Sequence, residues 1–140
     1  MTRAAELARR VADTLFNREG TGPAWGIEIE SADVGYSRVS MRVRDDMLNG
    51  HRMAHGGIIF SLADTAFAYA CNSRNTSTVA QSANIVFLSP GKEGEQLTAE
   101  AKEKSLVGRT GVYEVTVRGE DGRTVAEFQG VSRAIGGDVV

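Results

Sequence analysis

Asn49-Gly50-His51-Arg52-Met53-Ala54-His55-Gly56-Gly57-Ile58-Ile59-Phe60-Ser61-Leu62-Ala63-Asp64-Thr65-Ala66-Phe67-Ala68-Tyr69-Ala70-Cys71 decides the fold. Two glycines open an apolar run that meets no helix breaker before Asn72. The length of the run and its alanines predict a helix rather than a strand. Ile58, Ile59, Phe60, Leu62, Ala63, Ala66, Phe67, Ala68 and Ala70 leave it apolar nearly all round, as in a helix at the centre of a domain. One carboxylate, Asp64, stands in its middle. Burying an unpaired charge is costly, so Asp64 demands a reason.

The elements on either side supply the wrapping. Before the run, Thr2 to Asn17 predicts an amphipathic helix, with Ala4, Ala8, Val11 and Leu15 at helical spacing. Glu19 to Pro23 is a connection, so residues 1–24 form an N-terminal helix and linker. Trp25, Ile27 and Ile29 alternate with polar residues or glycine and predict a strand; Val39, Met41 and Val43 predict a second with one solvated face. After the run, Asn72 to Ser77 is a polar loop. Val79 to Leu88 is apolar on both faces towards its end and predicts a strand internal to the sheet. Leu97, Ala99 and Ala101 mark the next strand, and residues 105–110 a loop. Gly111 to Arg118 and Thr124 to Ala134 flank Asp121-Gly122, the strongest hairpin signal in the chain. Short connections join the last four strands, which predicts a largely antiparallel meander. The sum is a single α+β domain over 1–140, an antiparallel sheet wrapped around one long helix.

Composition narrows the function. In 140 residues, 16 basic and 18 acidic side chains are mixed without blocks. That argues against a nucleic-acid binder, which usually carries a basic face. The single cysteine allows no internal disulfide and fits a reducing cytoplasm. The first residues lack an apolar signal segment, and the central run is too short and too charged to span a membrane.

Chemistry concentrates in the central stretch. The first N–H groups of a helix have no internal partner and carry the positive end of its dipole. Gly56 and Gly57 let a ligand approach them closely, so a polarised carbonyl or an acyl-transfer oxyanion would be stabilised there. The simpler reading is that the glycines only turn the chain into the helix. Asp64 is a cap, a structurally satisfied carboxylate, or a catalytic nucleophile or general base. Eight residues of helix separate Gly56 from Asp64 by about 12 Å. That is too far for both to touch one carbonyl, so if they cooperate they come from two copies of the chain. A two-fold dimer with antiparallel helices would build the pair twice.

Other groups carry weaker signals. His51 and His55 have the spacing of a metal pair, but glycines flank them and no third ligand presents itself; His55 better suits orienting a loop or a substrate carbonyl. Asn49 and Ser82 could position water or substrate, or be ordinary loop and strand residues. Cys71 reads as packing. Lys102, Lys104, Arg109 and Arg133 could meet the phosphates of a nucleotide-tailed substrate, or simply be solvated.

Asn49-x5-His55-Gly56-Gly57-x2-Phe60-x3-Asp64-x2-Phe67-Ala68 resembles the hotdog-fold acyl-CoA thioesterases. Met47 to Gly50, Phe60 to Ser73, Phe87 to Gly91 and Thr110 to Tyr113 resemble in particular the branch that acts on phenylacetyl-CoA in phenylacetate degradation. The likeness runs from Trp25 to Gly137. It implies a curved sheet of five to six strands around the helix, dimers paired into tetramers, and an active site at the dimer interface. It implies that Asp64 is the catalytic carboxylate and that Gly56 of the opposite subunit donates its N–H to the thioester carbonyl. His55 and Asn49 then orient thioester and water. Gly57, Ser82 and Arg109 are the substrate-binding candidates, Ser82 near the attacking water. The reaction needs no metal or cofactor, since CoA is part of the substrate. Glu95 departs from the family's aspartate in a turn remote from the chemistry, and Ile58 and Ile59 shape the acyl pocket. Two other readings are a dehydratase or hydratase on the same fold, distinguished by water addition to an enoyl thioester, and a non-catalytic acyl-CoA-binding module, distinguished by binding without thiol release.

Overall fold

The computed structural model describes all 140 residues. Helix α1, Arg3–Arg18, starts on Thr2, whose hydroxyl accepts the Ala5 N–H at 3.0 Å; such a cap satisfies one of the free donors of the first turn. Its buried face is Ala5, Ala8, Val11 and Ala12; of the expected face, Ala8 and Val11 are buried, Leu15 is partly buried and Ala4 is exposed. The chain then turns through α2, Thr21–Trp25, which ends on Gly26 at φ +67. This left-handed residue overturns the expected strand from Trp25. The alternation of Trp25 and Ile27 is interrupted, and β1 begins only at Glu28 and runs to Asp33. Strand β2, Tyr36–Arg42, follows, then a 3₁₀ turn at Asp45–Met47. Helix α3, Gly56–Cys71, is the central apolar run, capped at its end by Asn72. Strands β3, Thr78–Phe87, β4, Gln96–Val107, β5, Thr110–Arg118, and β6, Thr124–Ala134, complete the chain.

All six strands form one antiparallel sheet in the order β1-β2-β4-β5-β6-β3. The expected meander holds for β4, β5 and β6. It fails for β3, which pairs with β6 rather than β4 and so closes the far side of the sheet. The loop expected over 105–110 shrinks to a tip at Gly108 and Arg109, because β4 continues to Val107 past an irregularity between Glu103 and Ser105.

The sheet wraps α3. Leu62, Ala63, Ala66, Phe67 and Ala70 are buried against Val39, Met41, Leu97, Ala99, Val115, Val117 and Phe128. The Phe67 ring lies 5.5 Å from Tyr113 and 5.8 Å from Phe128, centre to centre. Gly130 is glycine because a Cβ there would sit 2.7 Å from that ring. Ser37 Oγ donates to the Ala66 carbonyl at 2.6 Å and ties β2 to the helix.

Strand β3 is an edge, not an interior strand. Val79, Val86 and Phe87 are 48%, 54% and 51% exposed. An apolar strand reads as internal whether its own chain or another covers it; here nothing in the chain does. Long apolar edges are normally covered.

Glu95 lies in the β3–β4 connection and lines none of the cavities described below. It accepts from the Arg123 guanidinium and from the Lys92 N–H at 2.7 Å, and its side chain is only 11% exposed. Arg123 above all holds its carboxyl below the usual carboxylate range. A carboxyl whose pKa is lower folded than unfolded stabilises above the unfolded value, and that stability is lost as pH falls through the folded one. Glu95→Gln is therefore expected to cost about 1–3 kcal/mol at pH 7. The difference should shrink below about pH 4. Urea unfolding of both proteins at the two pH values measures this; equal stability at pH 7 would show that the pair contributes nothing.

Candidate active site

The start of α3 assigns its free donors one by one. His55 precedes the helix in an extended conformation, φ −61 and ψ 138, and its Nδ1 accepts the Gly57 N–H at 2.9 Å. The His55 carbonyl accepts from Ile58 and Ile59. Gly57 is therefore committed to the cap, whereas the Gly56 N–H has no partner in the chain. A Cβ on Gly57 would lie 3.1 Å from His55 Nδ1, and a Cβ on Gly56 3.1 Å from Phe87 Cζ. Glycine at each position lets its neighbour close in.

Asn49 builds the loop in front of that donor. Its Oδ1 accepts from the N–H groups of His51 at 2.9 Å and Met53 at 3.2 Å. Its side-chain Nδ2 makes no bond within the chain, while its backbone N–H donates to the Met53 carbonyl at 2.8 Å. Asn49 and Gly56 share a cavity of about 350 Å³ with Met53, Ile59, Phe87 and Pro90.

Asp64 lines a different cavity of about 430 Å³, walled by Leu15, Phe67, Ala68 and Val79. Its carboxylate makes no hydrogen bond and no ion pair with any side chain of its own chain. Burial alone raises its pKa above the usual carboxylate value, because an apolar wall disfavours the charged form. Gly56 and Asp64 thus lie on one helix in separate cavities, about 12 Å apart along the axis. Between and beyond them run Gly57, Ser61, Asp64, Ala68 and Cys71, none of them fully buried. The spacing of four, three, four and three residues puts these small side chains on one face of α3.

The remaining candidates scatter. Ser82 is exposed on β3, just past the irregularity after Ala80 and paired across with Val131; it lines neither of these two cavities. Arg109 lines a small cavity of about 120 Å³ with Arg74, Thr76, Thr78 and Ser132. That cavity shares Cys71 and Thr78 with the one around Asp64. Lys102 and Lys104 sit beside Glu100 at 3.5 Å and Glu114 at 3.1 Å. Neither they nor Arg133 line the Arg109 cavity. No three His, Cys, Asp or Glu side chains gather as a metal site would require. Burial pushes the Cys71 thiol up to about 12, so it is no nucleophile at neutral pH. No helix is long and apolar enough to cross a membrane.

Two features escape sequence reasoning. Phe87 stands over Gly56, and Tyr69 donates its hydroxyl to Glu19 in the Asp64 cavity. Each joins residues from elements far apart in the chain, and no periodicity reports such a meeting.

Comparison with known proteins bears on this arrangement. Residues 51–126 match the thioesterase superfamily. The acyl-coenzyme A thioesterase PaaI of Escherichia coli K12 is 45% identical over 91% of each chain. The solved structure of the E. coli PaaI protein, from the phenylacetic acid degradation operon, superimposes with a TM-score of 0.95 at 44% identity, covering 96% of this chain and 98% of that one. A hypothetical thioesterase protein from Streptococcus pneumoniae TIGR4 solved with coenzyme A gives a TM-score of 0.81 at 26% identity, over 90% of this chain and 97% of the other.

Proposed function

The chain belongs to the thioesterase superfamily and is an acyl-CoA thioesterase of hotdog fold, and from that premise we propose that its substrates are arylacetyl-CoA thioesters, phenylacetyl-CoA or its ring-hydroxylated forms. Water converts them to the free acid and CoA. The kinship with a protein of a phenylacetic acid degradation operon supports this acyl group. The observation that carries the site is the pairing of two unspent groups: the free N–H of Gly56 and the unpartnered carboxylate of Asp64, on one helix yet in two cavities.

Two copies of the chain resolve the separation. With their α3 helices antiparallel, the small-residue face of each lets the other approach, and the Gly56 of one copy comes beside the Asp64 of the other. The exposed edge of β3 supports the same dimer, since pairing two such edges would cover Val79 and Val86. Homotetramers built from these dimers, in the cytoplasm, complete the reading.

The thioester carbonyl accepts the Gly56 N–H, where the helix dipole favours negative charge. The Asp64 carboxylate takes a proton from water as the water oxygen attacks the carbonyl carbon. The resulting oxyanion is held at Gly56. Its collapse breaks the C–S bond, and the Asp64 carboxyl returns the proton to the departing CoA thiolate. The raised pKa of Asp64 suits both duties by bringing the base closer to working pH. His55 holds Gly57 and so leaves Gly56 as the donor. Asn49, which lines the same cavity, orients the carbonyl or water, with Ser82 near the water. Arg109 meets the CoA phosphates.

Thiol release from a panel of arylacetyl, short-chain and long-chain acyl-CoA thioesters tests this. Arylacetyl-CoA is expected to show the highest kcat/KM. Hydration of an enoyl-CoA without thiol release, or acyl-CoA binding without turnover of any thioester, would overturn it.

A further inference from the structure

The Phe87 ring meets the backbone that carries the free donor of the site. A Cβ on Gly56 would lie 3.1 Å from its Cζ and 3.5 Å from Cε1 and Cε2, so the far end of the ring points at that residue. Phe87 and Gly56 line the same cavity, whose other walls include Met53, Ile59 and Leu88. Phe87 takes no part in the core cluster around α3, and half of it is exposed. A large aromatic that contributes so little to the core of its chain has another reason to stand there.

The backbone fixes the ring in this place. Phe87 ends the β3–β6 ladder opposite Ala126. The N–H groups of Leu88 and Ser89 both donate to the Val125 carbonyl, at 2.8 and 3.2 Å. Ser89 Oγ donates to the Thr124 carbonyl at 2.7 Å, and the Arg123 guanidinium to the Pro90 carbonyl at 2.6 Å. The Gly91 carbonyl accepts the Ala54 N–H at 2.8 Å, which ties the segment to the residue before His55. The segment from Phe87 to Gly91 is therefore anchored to β6 on one side and to the entry of α3 on the other.

A hydrogen bond to a developing oxyanion is worth most where water is kept from the donor. The Gly56 N–H lies at a helix N-terminus, where water takes up donors that the chain leaves free. We propose that Phe87 is a positioning residue of the oxyanion site, an apolar cover that keeps water off the Gly56 N–H and reserves it for the thioester carbonyl. Glycine at 56 lets the cover close in. A Cβ there displaces the ring by a few tenths of an ångström and leaves the cover in place, whereas loss of the ring opens the donor to solvent. The inference rests on the thioesterase reading of Gly56.

Three substitutions separate a cover from a packing residue. Phe87→Ala removes the cover, Phe87→Gln fills the space with a group that draws water in, and Phe87→Leu keeps an apolar cover without the ring. The alanine and glutamine variants are expected to lose about tenfold in kcat with KM little changed, a share of the 10²–10³ that one oxyanion donor is worth. The leucine variant is expected to keep most of its kcat. Should Phe87→Ala not fold, the contrast of glutamine with leucine decides. In a Gly56→Pro background, which has no N–H to cover, the same substitutions are expected to change kcat by less than about twofold. Equal losses in both backgrounds, or wild-type kcat in Phe87→Gln, would overturn the proposal. A ketone analogue of phenylacetyl-CoA, with a methylene in place of sulfur, reads the same bond without turnover. Its bound carbonyl stretch is expected at lower frequency in wild type than in Phe87→Gln, because a stronger hydrogen bond weakens C=O; equal frequencies would count against the cover. Thiol release that is insensitive to Phe87 would overturn the cover and leave hydrolysis standing. A carbonyl shift that depends on Phe87, in a protein that releases no thiol, would support the cover and overturn hydrolysis instead.

Discussion

Asp64→Asn is expected to lower thioester turnover about 10²–10⁴-fold while leaving the protein at least as stable as wild type at pH 7. The first half follows from chemistry. Asparagine has nearly the shape of aspartate but takes no proton from water and forms no anhydride. The second follows from the environment. Asp64 makes no hydrogen bond or ion pair within its chain, and burial raises its pKa. A carboxyl whose pKa is higher folded than unfolded costs stability as pH rises from the unfolded value, about 3.9, through the folded one. Above that window the folded state carries an unfavourable charge, and the variant removes it. The melting temperature of the variant should equal or exceed that of wild type at pH 7 and lose this advantage near pH 3. Thiol release and thermal melts on one preparation measure both. A folded Asp64→Asn protein with wild-type turnover would end the assignment; a large loss of stability would mean that Asp64 is structural.

An unpartnered charge where the helix is otherwise apolar made Asp64 visible in the sequence. A charged residue inside an all-round apolar helix contradicts its local pattern, and such contradictions gather at functional sites. The helix was legible for a related reason. Its length, its alanines and the breaker at Asn72 all agree, and α3 ends where they place it. The strands with one solvated face were legible as well, because alternation reports a face. The failures have their own physics. Gly26 broke the apparent alternation around Trp25 through a single left-handed residue. The position of β3 was hidden because pattern reports how apolar a strand is, not which neighbour covers it. Short connections favoured pairing β3 with β4, but β4 lies between β2 and β5, leaving β3 the open side of β6. At the site, sequence spacing separated Gly56 from Asp64, yet it did not distinguish Gly56 from Gly57. Only the His55 side chain, by taking the Gly57 N–H, makes that distinction.

That distinction predicts a selective loss at Gly56. Gly56→Pro replaces one N–H by the ring Cδ and adds a Cβ. Proline is well suited to the first helical position, and His55 already has the extended backbone that a residue before proline prefers. No hydrogen bond within the chain is lost, since the Gly56 N–H makes none. The added Cβ approaches Phe87, a ring 51% exposed and free to shift. Gly56→Ala introduces the same Cβ but keeps the N–H, and so isolates the donor. Gly56→Pro is expected to lose about 10²–10³ in kcat, the worth of one oxyanion donor, and Gly56→Ala to keep most of its activity. Equal loss in both would assign the effect to packing against Phe87. The proline variant also tests where the two halves of the site reside. Mixed by refolding with an equal amount of Asp64→Asn, it forms mixed dimers in half the cases. If each site takes Gly56 from one copy and Asp64 from the other, a mixed dimer has one site with both defects and one with neither. Two nearly inactive proteins should then recover about a quarter of wild-type activity. If both groups acted within one chain, every site would keep a defect and nothing would be recovered. The 12 Å of helix between Gly56 and Asp64 makes the first result the expected one.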